Sequence, residues 1–126
     1  MNQRELQPLL IVEDERNMRL SLQSFLEGEG YHVRTVESAE AGLKLLEKES
    51  CFMVITDARL GGMNGYDFLR QSRERWPDMP ILMISAYPKP SLAVEALKAG
   101  AMDYLPKPFP PEELLRRVRF CAEQQQ

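Results

Sequence analysis

The stretch FMVITDARLGGMNG, residues 52–65, combines an apolar run, a carboxylate and a glycine-rich turn. Residues 52–56 are aromatic, β-branched or large apolar side chains, which is typical of a strand buried in a sheet. Asp57 follows at once, and three glycines come close behind it. A carboxylate at the end of a buried strand is costly without a partner. The stretch therefore predicts a polar site where this strand ends.

Short apolar runs alternate with segments of helical spacing along the rest of the chain. Ser38 and Ser91 are the expected N-caps of two of the helices, and prolines are expected to begin the last one. Strands are predicted at residues 9–12, 31–36, 52–56, 81–84 and 102–105, and helices at 17–26, from 38, at 66–76, from 91 and from 110 or 111.

Five strand–helix units with short connections predict an α/β fold, a five-stranded parallel sheet between two layers of helices. The expected strand order is 2-1-3-4-5, the doubly wound order that flavodoxins also have. Residues 1–126 are assigned to this single domain, with residues 121–126 as a helix end or the start of a linker to an output domain. Ligands of such sheets bind at the carboxyl ends of the strands, here between strands one and three.

Composition excludes several classes of protein. A chain of 126 residues supports one hydrophobic core, and 16 basic against 19 acidic residues give no basic surface for nucleic acid. Cys51 and Cys121 have neither metal-site nor disulfide spacing. No signal peptide is visible, and no apolar run approaches the roughly 20 residues of a membrane span, so a cytoplasmic domain is expected.

Four of the five predicted strands end in residues that carry chemistry. Glu13 and Asp14 follow the first strand, Asp57 the third, Ser85 the fourth and Lys107 the fifth. Carboxylate oxygens without histidine or thiol suit Mg²⁺, with Mn²⁺ as a substitute. A metal, a lysine and a hydroxyl together form a site for a phosphoryl group. Asp57 lies in the middle and is the expected nucleophile, which would form an acyl phosphate.

Four pieces of sequence, IVEDE, ITDARLGGMNG, MISA and DYLPKPF, make the chain resemble the receiver domain of two-component response regulators over nearly its whole length. The resemblance implies a phosphoacceptor rather than an enzyme, with Asp57 receiving a phosphoryl group from a histidine kinase. It implies that Glu13, Asp14, Asp57 and the main-chain carbonyl of Arg59 hold Mg²⁺. Lys107 would contact the phosphoryl group, followed by a cis peptide bond to Pro108.

The resemblance also implies a switch. Ser85 would be the switch hydroxyl and Tyr104 the switch aromatic, and phosphorylation would reshape the surface of helix four, strand five and helix five. Two copies would pair through that surface on activation. The implied output is transcription through a C-terminal domain of a longer protein, as in the activators of the nitrogen-regulator class. The alternative is a stand-alone receiver that acts by protein–protein contact. Residues of this surface are Val94, Lys98, Asp103, Arg116, Arg117 and Arg119.

The loop after Asp57 departs from the family pattern, because Leu60-Gly61-Gly62 replaces the usual methionine–proline pair. Glycine widens the accessible backbone conformations, so we expect a mobile loop that metal binding organises. Arg59 and Tyr87 are expected to tune the lifetime of the phosphoryl group. Pro88 and Pro90 are expected to restrict the chain before the fourth helix.

Two other functions are compatible with parts of the pattern. A Mg²⁺-dependent phosphohydrolase of the haloacid dehalogenase type also uses an aspartyl nucleophile, but its acid/base aspartate would fall at Arg59, which cannot exchange a proton. A flavin-binding electron carrier would need a phosphate-cradling loop after strand one. Glu13, Asp14 and Glu15 would repel phosphate there.

Overall fold

The computed structural model describes residues 7–86 and 89–125 of the chain. Tyr87 and Pro88 lie outside the described residues, as does Gln126 of the predicted linker. Within these two ranges five strands and five helices alternate, and the sheet has the predicted parallel order β2-β1-β3-β4-β5. Within the described ranges no helix is long and apolar enough to cross a bilayer. The strands are β1 (Leu9–Val12), β2 (Val33–Val36), β3 (Met53–Asp57), β4 (Ile81–Ser85) and β5 (Asp103–Pro106), and the helices are α1 (Arg16–Gly28), α2 (Ala39–Lys48), α3 (Gly65–Arg75), α4 (Pro90–Lys98) and α5 (Pro111–Gln125).

The central strand β1 is buried on both faces of the sheet. Successive side chains of a strand point to opposite faces. Accordingly, Leu9 and Ile11 pack with residues of α1 and α5, whereas Leu10 and Val12 pack with residues of α2, α3 and α4. Helices therefore cover both faces of the sheet, which leaves the ends of the strands as the place for a polar site.

The helix starts follow the predictions in one case and depart from them in another. Ser38 caps α2, since its hydroxyl accepts a hydrogen bond from the N–H of Ala41 at 3.1 Å. The prediction that Ser91 caps α4 is wrong, because Lys89 is the N-cap residue and Pro90 is already helical. Proline has its φ fixed near the helical value and lacks an N–H that would be unpaired at this position. Ser91 therefore lies inside the first turn.

Several strand boundaries differ from the prediction by one or two residues. Gly30 adopts a φ of 98° after α1, and the N–H of Tyr31 bonds back to the end of that helix. This is a common way to end a helix, and it delays the start of β2 to Val33. At their carboxyl ends, β3 and β4 each extend one residue farther than predicted, and they therefore include Asp57 and Ser85. These two polar side chains therefore stand on rigid strands.

Candidate functional site

The register of the sheet brings four strand ends to one edge. The last residue of β1 pairs with the residue just before Asp57, and Ser85 pairs with the residue just before Lys107. The main-chain N–H of Lys107 also donates to the carbonyl of Ser85 at 2.7 Å. Glu13 directly follows β1. The structure thus brings Glu13, Asp57, Ser85 and Lys107 together, although up to 94 residues separate them in the chain.

Asp57 is buried, with 6% of its surface exposed, and both of its carboxylate oxygens are hydrogen-bonded. Oδ2 accepts a hydrogen bond from Lys107 Nζ at 2.5 Å, and Oδ1 accepts one from the N–H of Arg59 at 2.8 Å. The Lys107–Pro108 peptide bond is cis, as the resemblance implied. These contacts fix the orientation of the carboxylate toward the ammonium group of Lys107 and the loop that follows β3.

Glu13 shares the ammonium group of Lys107 with Asp57, since Nζ lies 3.3 Å from Glu13 Oε1. Glu13 is 1% exposed. Burial, followed by the nearby charge of Asp57, raises the pKa of its carboxyl to about 7, while the hydrogen bond from the N–H of Glu15 and the charge of Lys107 act in the opposite direction. Burial lowers the pKa of Lys107, but its hydrogen bond and attraction to Asp57 outweigh that effect, and the pKa is raised. The interior of the site therefore holds more negative charge than one ammonium group compensates.

Asp14 lies on the exposed rim of the site, where its Oδ2 accepts a hydrogen bond from the N–H of Gly61 at 3.2 Å. Among residues 7–86 and 89–125, no three carboxylate, imidazole or thiol side chains form a compact metal-binding cluster. Mg²⁺ does not need one, because it usually takes one or two carboxylates and keeps several waters. The oxygen donors and the surplus negative charge at Glu13 and Asp57 fit a hard divalent cation.

A cavity of about 410 Å³ adjoins the site between the starts of α3 and α4. Ser85, which is 1% exposed, forms part of its wall together with Tyr66 and Leu92. Tyr104 lies on β5, is 9% exposed, and is hydrogen-bonded to Tyr66. A larger cleft of about 510 Å³ opens beside Trp76 and has none of the predicted site residues in its wall. Of these two cavities, the smaller one is therefore the one that adjoins the predicted site residues.

Sequence reasoning missed two residues of this region, Gly65 and Tyr66. A Cβ atom added to Gly65 would lie 2.3 Å from the carbonyl oxygen of Asp57 and 2.8 Å from Ala58 Cα. The start of α3 can approach the end of β3 this closely only because residue 65 has no side chain. An asparagine–glycine pair before a helix was the available signal for Gly65. Nothing in the helical spacing distinguished Tyr66 from a packing residue.

The glycine-rich loop is attached to the site on one side and to α2 on the other. Gly61 donates its N–H to Asp14, and the N–H of Met63 lies 3.4 Å from Glu40 Oε2 on α2. Gly62 between them has a φ of 74°, a conformation that favours glycine. The loop that distinguishes this chain from the usual pattern is therefore bonded directly to a predicted metal ligand.

Known proteins with a similar sequence or structure are response regulators. The FleR response regulator of Pseudomonas aeruginosa is 42% identical over 110 residues, which make up 87% of this chain and 23% of FleR. The response regulator MprA of Mycolicibacterium vanbaalenii is 39% identical over 111 residues, 88% of this chain and 48% of MprA. This chain thus spans less than half the length of either relative.

Structural similarity covers the whole domain. The crystal structure of a response regulator receiver domain protein from Methanospirillum hungatei matches with a TM-score of 0.89 and 31% identity, over 96% of this chain and 97% of that one. Residues 9–119 match the family model of the response regulator receiver domain. That range includes all four strand ends described above. The chain therefore belongs to the response regulator receiver domain family of two-component systems.

Proposed function

We propose that this domain is a phosphorylation-dependent switch in which Asp57 accepts a phosphoryl group from a histidine kinase. The observation that carries the proposal is the contact between Lys107 Nζ and Asp57 Oδ2, at 2.5 Å, in a buried site beside Glu13. A lysine so placed can neutralise both the resting carboxylate and a phosphoryl oxygen next to it. Phosphorylation replaces the single negative charge of the aspartate with the nearly two negative charges of an acyl phosphate, and without such a group nothing nearby would offset the added charge.

The transfer forms one bond and breaks one bond. A carboxylate oxygen of Asp57 attacks phosphorus, the P–N bond of the kinase phosphohistidine breaks, and the imidazole, already protonated on its other ring nitrogen, leaves as a neutral base. Asp57 Oδ1 is held by the N–H of Arg59 and Oδ2 by Lys107, so the carboxylate is oriented before the donor arrives. Ser85, at the end of β4, then donates its hydroxyl to a phosphoryl oxygen.

We infer that Glu13, Asp14, Asp57 and the main-chain carbonyl of Arg59 hold Mg²⁺. When bound, the cation would neutralise phosphoryl oxygens during the transfer. The support is the oxygen-only donor set and the burial of Glu13 and Asp57 side by side, where the ammonium group of Lys107 contacts both carboxylates. Mn²⁺ is the expected substitute because it prefers the same ligands.

The proposed output surface consists of exposed residues of α4, β5 and α5. Val94 and Leu97 of α4 are each 50% exposed, which is unusual for large apolar side chains, and they support pairing of two copies on activation. Arg117 of α5 links that helix to β5, because its guanidinium donates to Asp103 at 2.7 Å. Arg119 does not belong to this surface, because its guanidinium lies 3.6 Å from Glu29 at the end of α1.

Control of transcription through a further domain is also a proposal. It is supported by the lengths of FleR and MprA, of which this chain spans 23% and 48%. A stand-alone receiver that acts by contact with a partner protein is the alternative, and the cytoplasmic setting is common to both. Phosphorylation of the isolated domain is required by either, so it is the first property to measure.

Incubation with acetyl phosphate and Mg²⁺, followed by intact mass measurement, tests the proposal. Wild-type protein is expected to gain one phosphoryl group, and Asp57→Asn to gain none because the amide is a poor nucleophile. Asp78→Asn changes an exposed aspartate in the loop before β4 and is the matched control, which should be modified like wild type. A chelator of Mg²⁺ should suppress the reaction in wild-type protein and in Asp78→Asn. An adduct of equal yield in Asp57→Asn would place the acceptor elsewhere.

A further inference from the structure

Helix α4 is held to the domain by little apolar burial. Among its nine residues only Ala96 is fully buried, whereas α3 buries four residues and α1 three. Its N-cap residue, Lys89, makes no side-chain capping bond. Segments with few buried apolar contacts open most easily. The position of α4 must therefore depend on specific contacts more than that of its neighbours does.

Two side chains of α3 supply such contacts, one at each end of α4. Tyr66 donates its hydroxyl to the main-chain oxygen of Leu92, in the first turn of α4, at 3.1 Å. Arg73 donates to the main-chain oxygen of Gly100, just past the last turn, at 2.7 Å. A carbonyl oxygen has two lone pairs, so the oxygen of Leu92 can accept this bond and also keep its bond within the helix, while the oxygen of Gly100 lies beyond the end of α4.

The two contacts differ in their surroundings. Arg73 also donates to the carbonyl oxygens of Trp76 and Pro77, so its position is fixed from three directions at the end of α3 that is remote from Asp57. Tyr66 instead forms part of the wall of the cavity that Ser85 also lines. The C-terminal end of α4 is therefore held firmly, whereas its N-terminal end is held by a residue that also lines the cavity beside Ser85.

Tyr66 is also in contact with the proposed aromatic switch. Its hydroxyl lies within hydrogen-bonding reach of the Tyr104 side chain, and Tyr104 is 9% exposed, so a movement of the Tyr104 ring changes the surroundings of the Tyr66 hydroxyl. Burial, followed by the neighbouring Tyr104, raises the pKa of Tyr66 to about 12. The Tyr66 hydroxyl thus remains a hydrogen-bond donor at any physiological pH.

We propose that Tyr66 is the positioning residue that fixes the N-terminal end of α4 and releases it when the Ser85 cavity is rearranged. This inference rests on the proposed function, in which Ser85 moves toward the phosphoryl group and Tyr104 moves into the vacated space. That movement breaks the contact between Tyr104 and Tyr66 and with it the bond to Leu92. The helix then pivots about its end at Gly100, which Arg73 continues to hold, and Val94 and Leu97 are presented differently.

Amide hydrogen exchange of residues 93–98 tests the inference in the resting protein. Tyr66→Phe removes only the hydroxyl, and the loss of one hydrogen bond is expected to accelerate exchange in α4 by about 2- to 12-fold. Exchange in β1 and β3 should not change. Tyr31→Phe is the matched control, because it also removes only a tyrosine hydroxyl, from a buried ring that packs on the opposite face of the sheet with α1 and α5. It should leave α4 at the wild-type rate.

Beryllofluoride with Mg²⁺ then serves as the probe for the occupied site, with Asp57→Asn as the variant that does not respond. It should accelerate α4 exchange in wild type and add less in Tyr66→Phe, because both changes break the same bond. Three results would each overturn the inference. The α4 amides of resting Tyr66→Phe could exchange at the wild-type rate, the sheet amides could be accelerated as much as those of α4, or the effects of beryllofluoride and of Tyr66→Phe on α4 exchange could be fully additive. If beryllofluoride left wild type unchanged, the proposed function would fail, while the resting comparison would still decide the role of Tyr66.

Discussion

Substitution of Gly65 by alanine is expected to impair phosphorylation more than stability. The added Cβ would lie 2.3 Å from the carbonyl oxygen of Asp57 and 2.8 Å from Ala58 Cα, whereas ordinary contact begins at 3.4 Å. The backbone at the start of α3 and the end of β3 must therefore separate by about 1.1 Å, the difference between 3.4 and 2.3 Å. Both clashing groups are main-chain atoms, so no side-chain rotation relieves the contact.

The magnitude follows from this displacement. Forced overpacking costs about 1–3 kcal/mol of stability, which a domain of this size tolerates while it remains folded. A reacting group that is misplaced by about 1 Å loses on the order of 10²-fold in rate. We therefore expect Gly65→Ala to remain folded at 25 °C and to take up the phosphoryl group from acetyl phosphate about two orders of magnitude more slowly than wild type.

The assay combines the rate of phosphoryl uptake, measured by intact mass, with urea unfolding of the same samples. Gly28→Ala is the matched control, because a Cβ at Gly28 meets nothing within 4 Å, and it should take up phosphate at the wild-type rate. A folded Gly65→Ala protein with a wild-type uptake rate would refute the reasoning, since Asp57 would then tolerate the displacement. Unchanged stability would equally contradict the predicted clash.

Four further predictions concern other parts of the domain. Burial raises the pKa of Cys51 and Cys121 from 9.0 to about 11. Both thiols should therefore react about 100-fold more slowly with Ellman's reagent at pH 8 than ordinary thiols do. Equal reaction rates in native and urea-unfolded protein would contradict this prediction. Because these folded-state pKa values are raised, their contribution to stability should be complete below pH 9 and be lost between pH 9 and 11, as urea midpoints across that range would reveal. Leu97→Ser should weaken dimerisation of the beryllofluoride-treated protein by about 1–2 kcal/mol, which is about 5- to 30-fold in the dissociation constant measured by sedimentation. The Asp57 adduct should form as in wild type. An unchanged dissociation constant would exclude α4 from the interface. Amide exchange in residues 60–63 should slow when Mg²⁺ is added, because the N–H of Gly61 is bonded to Asp14, and equal exchange with and without Mg²⁺ would show that the cation does not organise the loop.

The alternation of short apolar runs and helical spacing was sufficient to predict the sheet order. This prediction succeeded because parallel strands joined by helices have few permitted arrangements, and strands buried on both faces are continuously apolar. Boundaries were less predictable where two local rules competed. Pro90, rather than Ser91, determined the start of α4, and the closing bonds of α1 delayed the start of β2.

By itself, the sequence determined that Glu13, Asp57, Ser85 and Lys107 lie at the same edge of the sheet, because each stands at the carboxyl end of a parallel strand. Only the tertiary structure decided which atoms meet there. The ammonium group of Lys107 lies between Asp57 and Glu13, which are 50 and 94 residues away from Lys107 in the chain. The contacts of Tyr66 with Leu92 and Tyr104 likewise depend on how α3 packs beside α4. Local patterns record which face or edge a residue occupies, whereas distances between side chains of different elements are fixed by packing of the whole core.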